Sequence, residues 1–381
     1  MDRLKIAQIV PYIGDEASGP AYSVPALCTA LQNNGCTVTL YTLNPTPNKK
    51  YNFITKGFKR SKFPTYSFGR SAEMYKQLLE DSEDIDIIHN HSFWMAPNIY
   101  AGFIAKKKNI PLINAPRGTM SQKALSMSKL KKQIVLKLGQ QLAINQTVCF
   151  HATAVHETKD IKKQYPQKAI AQLPNGVDVP VLSKETSLNQ ERNKLLFFGR
   201  LHSIKGIENL INAWGNLESQ FPNWDLDIIG VGDTNYVGSL HVIIKNKKLN
   251  RVSILDPVYG DDKMIVYQNA DLYVLPSFSE NFGMTVAEAL ANNTPVITTN
   301  QTPWKDLDKN NAGWSIDVGV DALEKVLAIA LSKSKNELFD MGTNGRQWMM
   351  EKFSWDSIAK EMIATYKWIL KKGNKPKCVK T

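Results

Sequence analysis

Short apolar runs alternate with helix-period segments along almost all of this sequence, and few folds satisfy that alternation. Residues 5–10, 37–42, 86–90, 111–114, 149–153 and 169–173 read as strands, and after a polar break so do 194–198, 225–229, 251–255, 271–275, 295–299 and 313–316. Helical spacing fills most of the gaps. Over 21–32, Val24, Leu27 and Leu31 fall on one face just after Pro20, a residue suited to a first helical turn. A chain that repeats strand then helix builds parallel sheets covered on both faces. With 381 residues, 43% of them hydrophobic, there is chain enough for two such domains. The break at 182–193 is rich in Ser, Lys, Glu, Thr, Asn and Gln and reads as a linker between them. The expected fold class is α/β, with two doubly wound parallel-sheet domains whose ligands sit outside the carboxyl ends of the strands.

Composition removes several function classes. No apolar run approaches the ~18 residues needed to span a bilayer. The first apolar segment, 6–10 before Pro11, is too short for a signal peptide's core and is expected to be a strand. Cys28, Cys36, Cys149 and Cys378 show no Cys-x-x-Cys spacing, which argues against a zinc site or disulfide framework and fits a reducing cytoplasm. Charge is uneven, with 24 basic against 13 acidic residues in 1–188 and 23 against 22 in 189–381. Between Asp86 and Glu157 there are nine basic residues and no acidic one. Unless that surface is merely solvated, it is built to meet an anionic membrane face, a phosphate-bearing acceptor or nucleic acid. Within it, 123–141 is a basic helical pattern with Leu130, Ile134, Leu138 and Leu142 on one side, suited to anionic lipid or to core packing. Nucleic acid is disfavoured, because no clustered aromatics accompany the basic residues.

The densest chemistry lies in the second half. Glu280 follows an apolar strand, and Glu288 lies inside the next helical stretch. Between them Asn281, Phe282, Gly283, Met284 and Thr285 turn the chain, and Gly283 lets backbone approach a ligand closely. Carboxylates accept from sugar hydroxyls, and a helix start attracts phosphate. Arg200 and Lys205 follow another strand of the same expected sheet. A guanidinium fork and a point charge together would neutralise a diphosphate, although alone they read equally well as surface cations.

In the first half, the loop 14–20 carries Gly19 at a helix start but lacks the dinucleotide fingerprint. His89 and His91 share one face of a strand; a metal would require a third ligand, which no spacing supplies. Arg117 follows a further strand, and Asn175-Gly176 marks a tight turn. The last helical stretch, 355–370, carries Ile358, Met362, Tyr366 and Ile369 on one side. The basic tail 371–381 is expected to fray.

Taken together these segments resemble glycosyltransferase family 4, retaining enzymes of the GT-B fold. The resemblance rests on Ser18-Gly19-Pro20, His89-Asn90-His91-Ser92, Pro174-Asn175-Gly176-Val177-Asp178, Phe198-Gly199-Arg200 with Lys205-Gly206, Asn269-Ala270-Asp271, and Pro276 through Glu288. Pro116 to Ser121 and Thr302-Pro303-Trp304 look like the subset that builds bacterial surface polysaccharides, O-antigen or capsule. The resemblance implies two Rossmann-like domains facing across a cleft: an acceptor domain, 1–185, completed by the C-terminal helix 355–372, and a nucleotide-sugar domain, 190–354.

It implies that Arg200 and Lys205 hold the donor diphosphate, that Glu280 contacts the sugar and Glu288 the ribose, and that backbone around Asn281, Phe282, Gly283, Met284 and Thr285 holds sugar and phosphates. Gly19, His91 and Arg117 would contact substrate from the first half. Where many relatives carry a histidine after the fourth strand, this chain has Arg117, which cannot act as a base and is expected to grip a phosphate. No metal and no resident cofactor are implied. The donor is a nucleotide sugar, UDP favoured over GDP, and the acceptor a polyprenyl-diphosphate-linked saccharide. The enzyme is expected in the cytoplasm, on the anionic inner face of the plasma membrane. The rival readings are a GT-B epimerase or phosphorylase, and a basic non-catalytic protein that binds nucleic acid or membrane.

Overall fold

The structure, a computed structural model, describes residues 3–14, 19–47, 50–62, 66–182, 193–260, 262–280 and 282–381, apart from the side chains of residues 122 and 123. Residues 15–18 of the first glycine loop, 183–192 of the expected linker, and Asn281 lie outside them. The chain forms two compact units, Met1–Gly176 with Trp355–Thr381, and Val177–Ser354.

In the first unit the strands are β1 (Lys5–Tyr12), β2 (Thr37–Leu43), β3 (Ile54–Phe58), β4 (Ile87–His91), β5 (Leu112–Ala115), β6 (Thr147–Ala152) and β7 (Ala169–Gln172). The second unit contains β8 (Asn193–Phe198), β9 (Trp224–Ile229), β10 (Val252–Leu255), β11 (Leu272–Leu275), β12 (Val296–Thr299) and β13 (Gly313–Ile316), and β14 (Val379–Lys380) returns to the first. The sheets run β14-β7-β6-β5-β4-β1-β2-β3 and β10-β9-β8-β11-β12-β13. Every pairing is parallel except β14 with β7. Central strands β4, β11 and β12 are buried along their whole length, as strands covered on both faces must be. Helices supply the cover. Ile207–Leu217 turns Ile207, Leu210, Ile211, Trp214 and Leu217 inward, a stripe at helical spacing.

Both sheets reverse direction of growth once. In the first the reversal falls between β1 and β4, in the second between β8 and β11. Loops leaving the carboxyl ends of strands at such a point form the natural ligand crevice of an open α/β sheet. In the second unit they are the segments carrying Arg200 and Lys205 after β8 and Glu280 after β11.

Two expectations change. The tail does not fray: Val379 is buried and pairs with Ala171 of β7, and Gln172 donates its backbone N–H to the Cys378 carbonyl at 2.9 Å. One apolar side chain and an open sheet edge suffice to hold it. The pattern at 123–141 is not one helix. It breaks after Gln122–Ser126, where Ser128 adopts a left-handed φ of 51°, resumes as Lys129–Val135, and loosens through Leu136–Gln140 at Gly139. Its apolar stripe is not core. Leu130, Ile134 and Leu138 are 77%, 58% and 57% exposed, next to Met127 at 63%, and only Leu142 is partly covered.

Candidate active site

Two lysine–carboxylate pairs frame the start of one helix in the second unit. β11 ends at Leu275, and the chain turns through Ser277 to Glu280. The Lys205 ammonium lies 2.5 Å from Glu280 Oε1, with the two side chains only 18% and 11% exposed. Ser277 donates its hydroxyl to the same oxygen at 2.7 Å. Gly206 makes the approach feasible: its φ is +69°, and a Cβ there would stand 2.2 Å from the Pro276 carbonyl oxygen. Phe278 also donates its N–H to the Ile204 carbonyl at 2.8 Å. The loops after β8 and β11 are therefore laced together by backbone, and Lys205 and Glu280 are carried to each other.

Gly283, at a left-handed φ of 75°, then opens the helix Met284–Ala291, and no described side chain caps that start. Trp304 supports the turn by donating its indole N–H to the Phe282 carbonyl at 2.5 Å. Uncapped N–H groups and the helix dipole make this end attractive to anions. Thr285, in the first turn, accepts a hydrogen bond from the Tyr273 hydroxyl at 2.7 Å. Gly199 lies beside it, with Thr285 Cγ2 3.9 Å from the place of a Cβ. Arg200, the next residue, is exposed and has no ion-pair partner among the described residues. On the same helix Glu288 receives Lys263 Nζ at 2.7 Å and the Tyr267 hydroxyl at 2.8 Å. Burial first, and Glu288 second, push the Tyr267 phenol well above its ordinary value, so it remains a donor. Within this unit the structure brings together Glu280, Lys205, Phe282, Gly283, Met284 and Thr285, with Glu288 on the same helix and Arg200 at its rim.

Sequence reasoning missed Ser277, Lys263, Tyr267 and Tyr273. Lys263 and Tyr267 stand one helical turn apart in Asp262–Gln268, a spacing that puts both on one face. That signal was readable, but nothing in the sequence says the face meets Glu288.

The first unit carries Gly19, His91 and Arg117. Gly19 opens the helix Gly19–Asn33, is exposed, and has open space where a Cβ would stand. His91 is fully buried. Its side chain is covered, with Nδ1 facing Arg117. Arg117 has a left-handed φ of 54°, held by Glu157, which accepts from Gly118 N at 2.7 Å and from Thr153 N at 2.7 Å. Its guanidinium donates to Asn175 Oδ1 at 2.5 Å and to His91 Nδ1 at 3.4 Å.

The strand pair His89 and His91 gains a third ring, His151, whose centroid is 5.3 Å from that of His89. Their nitrogens are engaged with one another, with Tyr366, Gln8 and the Leu173 carbonyl. No group of His, Cys, Asp and Glu among the described residues has metal-site geometry. Burial holds His89 and His91 well below the usual imidazole value and His151 down to about 3. Burial also lowers Arg117, to about 10, which leaves it a cation at neutral pH.

Comparison with known proteins agrees with this geometry. The family described as "Glycosyl transferases group 1" matches residues 178–348, and "Glycosyltransferase Family 4" matches 17–180. A D-inositol 3-phosphate glycosyltransferase of Corynebacterium diphtheriae is 26% identical over 233 residues, 56% of this chain and 54% of that protein. The match thus spans about half of that relative's length. The crystal structure of a glycosyltransferase from Rickettsia africae superposes with a TM-score of 0.74 at 19% identity, covering 97% of this chain and 100% of the other. Anabaena HepE in complex with UDP gives 0.73 at 15% identity over 96% and 100%. Two parallel-sheet α/β units in the GT-B architecture, matched by two glycosyltransferase families along nearly the whole length, show that this chain belongs to glycosyltransferase family 4.

Proposed function

We propose that this glycosyltransferase moves a hexose or N-acetylhexosamine, with retention, from a nucleotide sugar to a polyprenyl-diphosphate-linked saccharide of a bacterial surface polysaccharide. The observation that carries the donor half is the Lys205–Glu280 pair beside an uncapped helix start. On this reading the donor diphosphate takes Lys205 and Arg200, and Glu280, released from its lysine, accepts from the sugar hydroxyls. Glu288, held by Lys263 and Tyr267, accepts from the ribose.

The bond from the anomeric carbon to the leaving phosphate oxygen breaks with oxocarbenium character, and the acceptor oxygen attacks from the same face. The phosphate oxygen then takes the acceptor's proton. Fixed positive charge aimed at a leaving diphosphate is the largest contribution in such sites, and the two side-chain cations fill the part a metal would otherwise play. UDP is the favoured nucleotide, supported by the likeness to a protein whose structure contains it. A thermal-shift screen of UDP, GDP and ADP tests this. UDP at about 100 times its dissociation constant adds ~2.7 kcal/mol of stability by mass action. A larger shift with GDP would reassign the donor, and no shift with any of the three would remove the reading.

The acceptor half rests on the surface at 127–138. Met127, Leu130, Ile134 and Leu138 recur at 3- and 4-residue spacing, and all are exposed. Lys129, Lys131 and Lys137 stand exposed among them, while Lys132 turns back onto the Trp94 ring at 5.4 Å. An apolar stripe flanked by lysines suits an anionic lipid surface, where a lipid-linked acceptor would reside. Binding to phosphatidylglycerol vesicles is expected to fall between 50 and 300 mM salt, as the Debye length shrinks from about 14 to about 6 Å, and L130S/I134S/L138S is expected to abolish it. Equal binding to neutral and anionic vesicles would refute the assignment. No helix is long and apolar enough to cross a membrane among the described residues.

A further inference from the structure

We propose that Arg117 is a phosphate-binding cation of the first unit, aimed by a one-way chain of hydrogen bonds through His91, Gln8, Tyr366, His89 and His151. The proposal deepens the transferase reading and rests on it only for which substrate carries the phosphate.

The direction of the chain follows from its two ends. A guanidinium can only donate and a carbonyl can only accept. At the far end His151 Nε2 lies 2.9 Å from the Leu173 carbonyl oxygen, so that nitrogen carries the proton. His151 Nδ1 is then an acceptor and receives His89 Nε2–H at 3.3 Å. His89 Nδ1 in turn accepts the Tyr366 hydroxyl proton at 2.8 Å. The Tyr366 oxygen accepts from Gln8 Nε2 at 3.2 Å, and Gln8 Oε1 accepts from His91 Nε2 at 2.6 Å. That leaves His91 Nδ1 bare, facing Arg117 Nη2 at 3.4 Å. Each member has one donor and one acceptor to offer, and each is used. All three imidazoles must be neutral and protonated on Nε2, because one extra proton would set two donors against each other.

The consequence is electrostatic. Lys205 and Lys263 each neutralise a carboxylate. Arg117 donates instead to two neutral acceptors, the Asn175 amide and the bare His91 nitrogen. Among the described residues only two of its five N–H donors are engaged, and its Nε is buried without a partner there. Glu157, whose charge favours the Arg117 cation, gives its oxygens to Gly118 and Thr153 in the backbone that sets the Arg117 turn. Arg117 thus keeps a full positive charge, a fixed direction and spare donors at the carboxyl end of β5. That combination selects a phosphate oxygen. His91, Gln8, Tyr366, His89 and His151 act through Arg117 and are positioning residues. The helix Trp355–Ile369 contributes Tyr366 at the middle of the chain, which gives this helix a task besides covering the sheet.

Two measurements test the proposal. Long-range ¹H–¹⁵N spectra of the histidine rings at pH 7 are expected to show His89, His91 and His151 as neutral Nε2–H tautomers. Gln8→Glu, which cannot donate to Tyr366, is expected to break the chain there and shift His89 away from the neutral Nε2–H form. A Nδ1–H tautomer or a charged ring at His91 in the unmodified protein overturns the chain. Titration with inorganic pyrophosphate in a Lys205→Ala/Arg200→Ala background isolates Arg117. Adding Arg117→Gln is expected to weaken binding at least about tenfold, and adding Tyr366→Phe by about threefold to tenfold, as loss of a charge-assisted bond or of its support predicts. Equal affinity with and without Arg117→Gln overturns the site. In steady state, Arg117→Gln is expected to raise KM for the acceptor if the phosphate is the acceptor's, or for the nucleotide sugar if it is the donor's. If neither moves, the proposal fails. Unchanged UDP affinity in Lys205→Ala would instead count against the donor site and leave this one standing.

Discussion

Lys205→Ala is expected to lower kcat by about 10²–10³-fold, the loss seen when one fixed group that stabilises developing negative charge is removed. Lys205 has two partners to serve. Its ammonium sits 2.5 Å from Glu280 and neutralises it. On the proposed reading a diphosphate occupies the helix start, and the same ammonium takes the charge that grows on the leaving oxygen. Alanine removes that charge and also leaves Glu280, only 11% exposed, with Ser277 as its remaining described partner. Nucleotide affinity is expected to fall as well, by about tenfold, since a hydrogen bond between charged groups contributes about 1.5–3 kcal/mol. Glu280→Gln gives the complementary result. It keeps the size of the side chain and an oxygen for Ser277 and Lys205, so UDP affinity is expected to stay within about threefold while kcat falls about 10²-fold, because on the proposed reading the missing negative charge faces the sugar. Steady-state kinetics with UDP titration of both variants separates the roles. Turnover near that of the unmodified enzyme in both would show that the pair is a structural clasp.

Much of this was legible before any coordinates. Each strand read from apolar runs is present, and no end moves by more than two residues. Buried central strands open on apolar residues, Ile87-Ile88 in β4, Leu272 to Leu275 throughout β11 and Val296-Ile297 in β12, and such runs have no other comfortable place in an α/β chain. The two strands not read are the edges. Ile54–Phe58 is Ile-Thr-Lys-Gly-Phe with only Phe58 buried, and Val379–Lys380 contributes a single apolar anchor. Edge strands need bury little, so periodicity has little to detect. Glu280, Lys205 and the Gly283 turn were readable because a doubly wound sheet brings the loops at its switch point together. Residues that complete the picture from afar were not. Gln8 and Tyr366 meet across 358 positions of sequence, and Tyr366 reads as one more apolar residue of an amphipathic helix. Its hydroxyl acquires meaning only when the fold sets His89 against it. The exposed stripe at 127–138 shows the reverse failure, since its spacing alone suits core and membrane equally.

The folded chain is expected to lose several kcal/mol of stability between pH 7.5 and pH 5.0, a loss carried by three buried histidines. His89, His91 and His151 are buried, and their folded-state values lie well below the ordinary 6.5, that of His151 at about 3. A histidine with a lowered folded value binds a proton in the unfolded chain first. Unfolding therefore takes up protons as pH falls through the unfolded value near 6.5, and the stability present above that pH is progressively lost. For His151 the loss continues down to about pH 3. At pH 5 each ring that stays neutral in the folded state costs about 2 kcal/mol relative to pH 7.5, and three cost on the order of 6, comparable with the whole stability of many domains. The carboxylates whose values are lowered, Asp81 with its Lys56 and Tyr41 contacts, Asp356 beside Lys360 and Glu337 at Ser334 and Lys333, add to the loss only below about pH 5, and Asp271, raised by burial, opposes it. The window from 7.5 to 5.0 thus belongs to the histidines. Calorimetric unfolding at fixed ionic strength across it measures the slope directly, with proton uptake on unfolding approaching three from these rings near pH 5. A melting temperature that stays flat over that window would mean the rings already carry charge in the native chain. A chain with even one imidazolium has no consistent direction, and the one-way path from Arg117 to Leu173 could not exist.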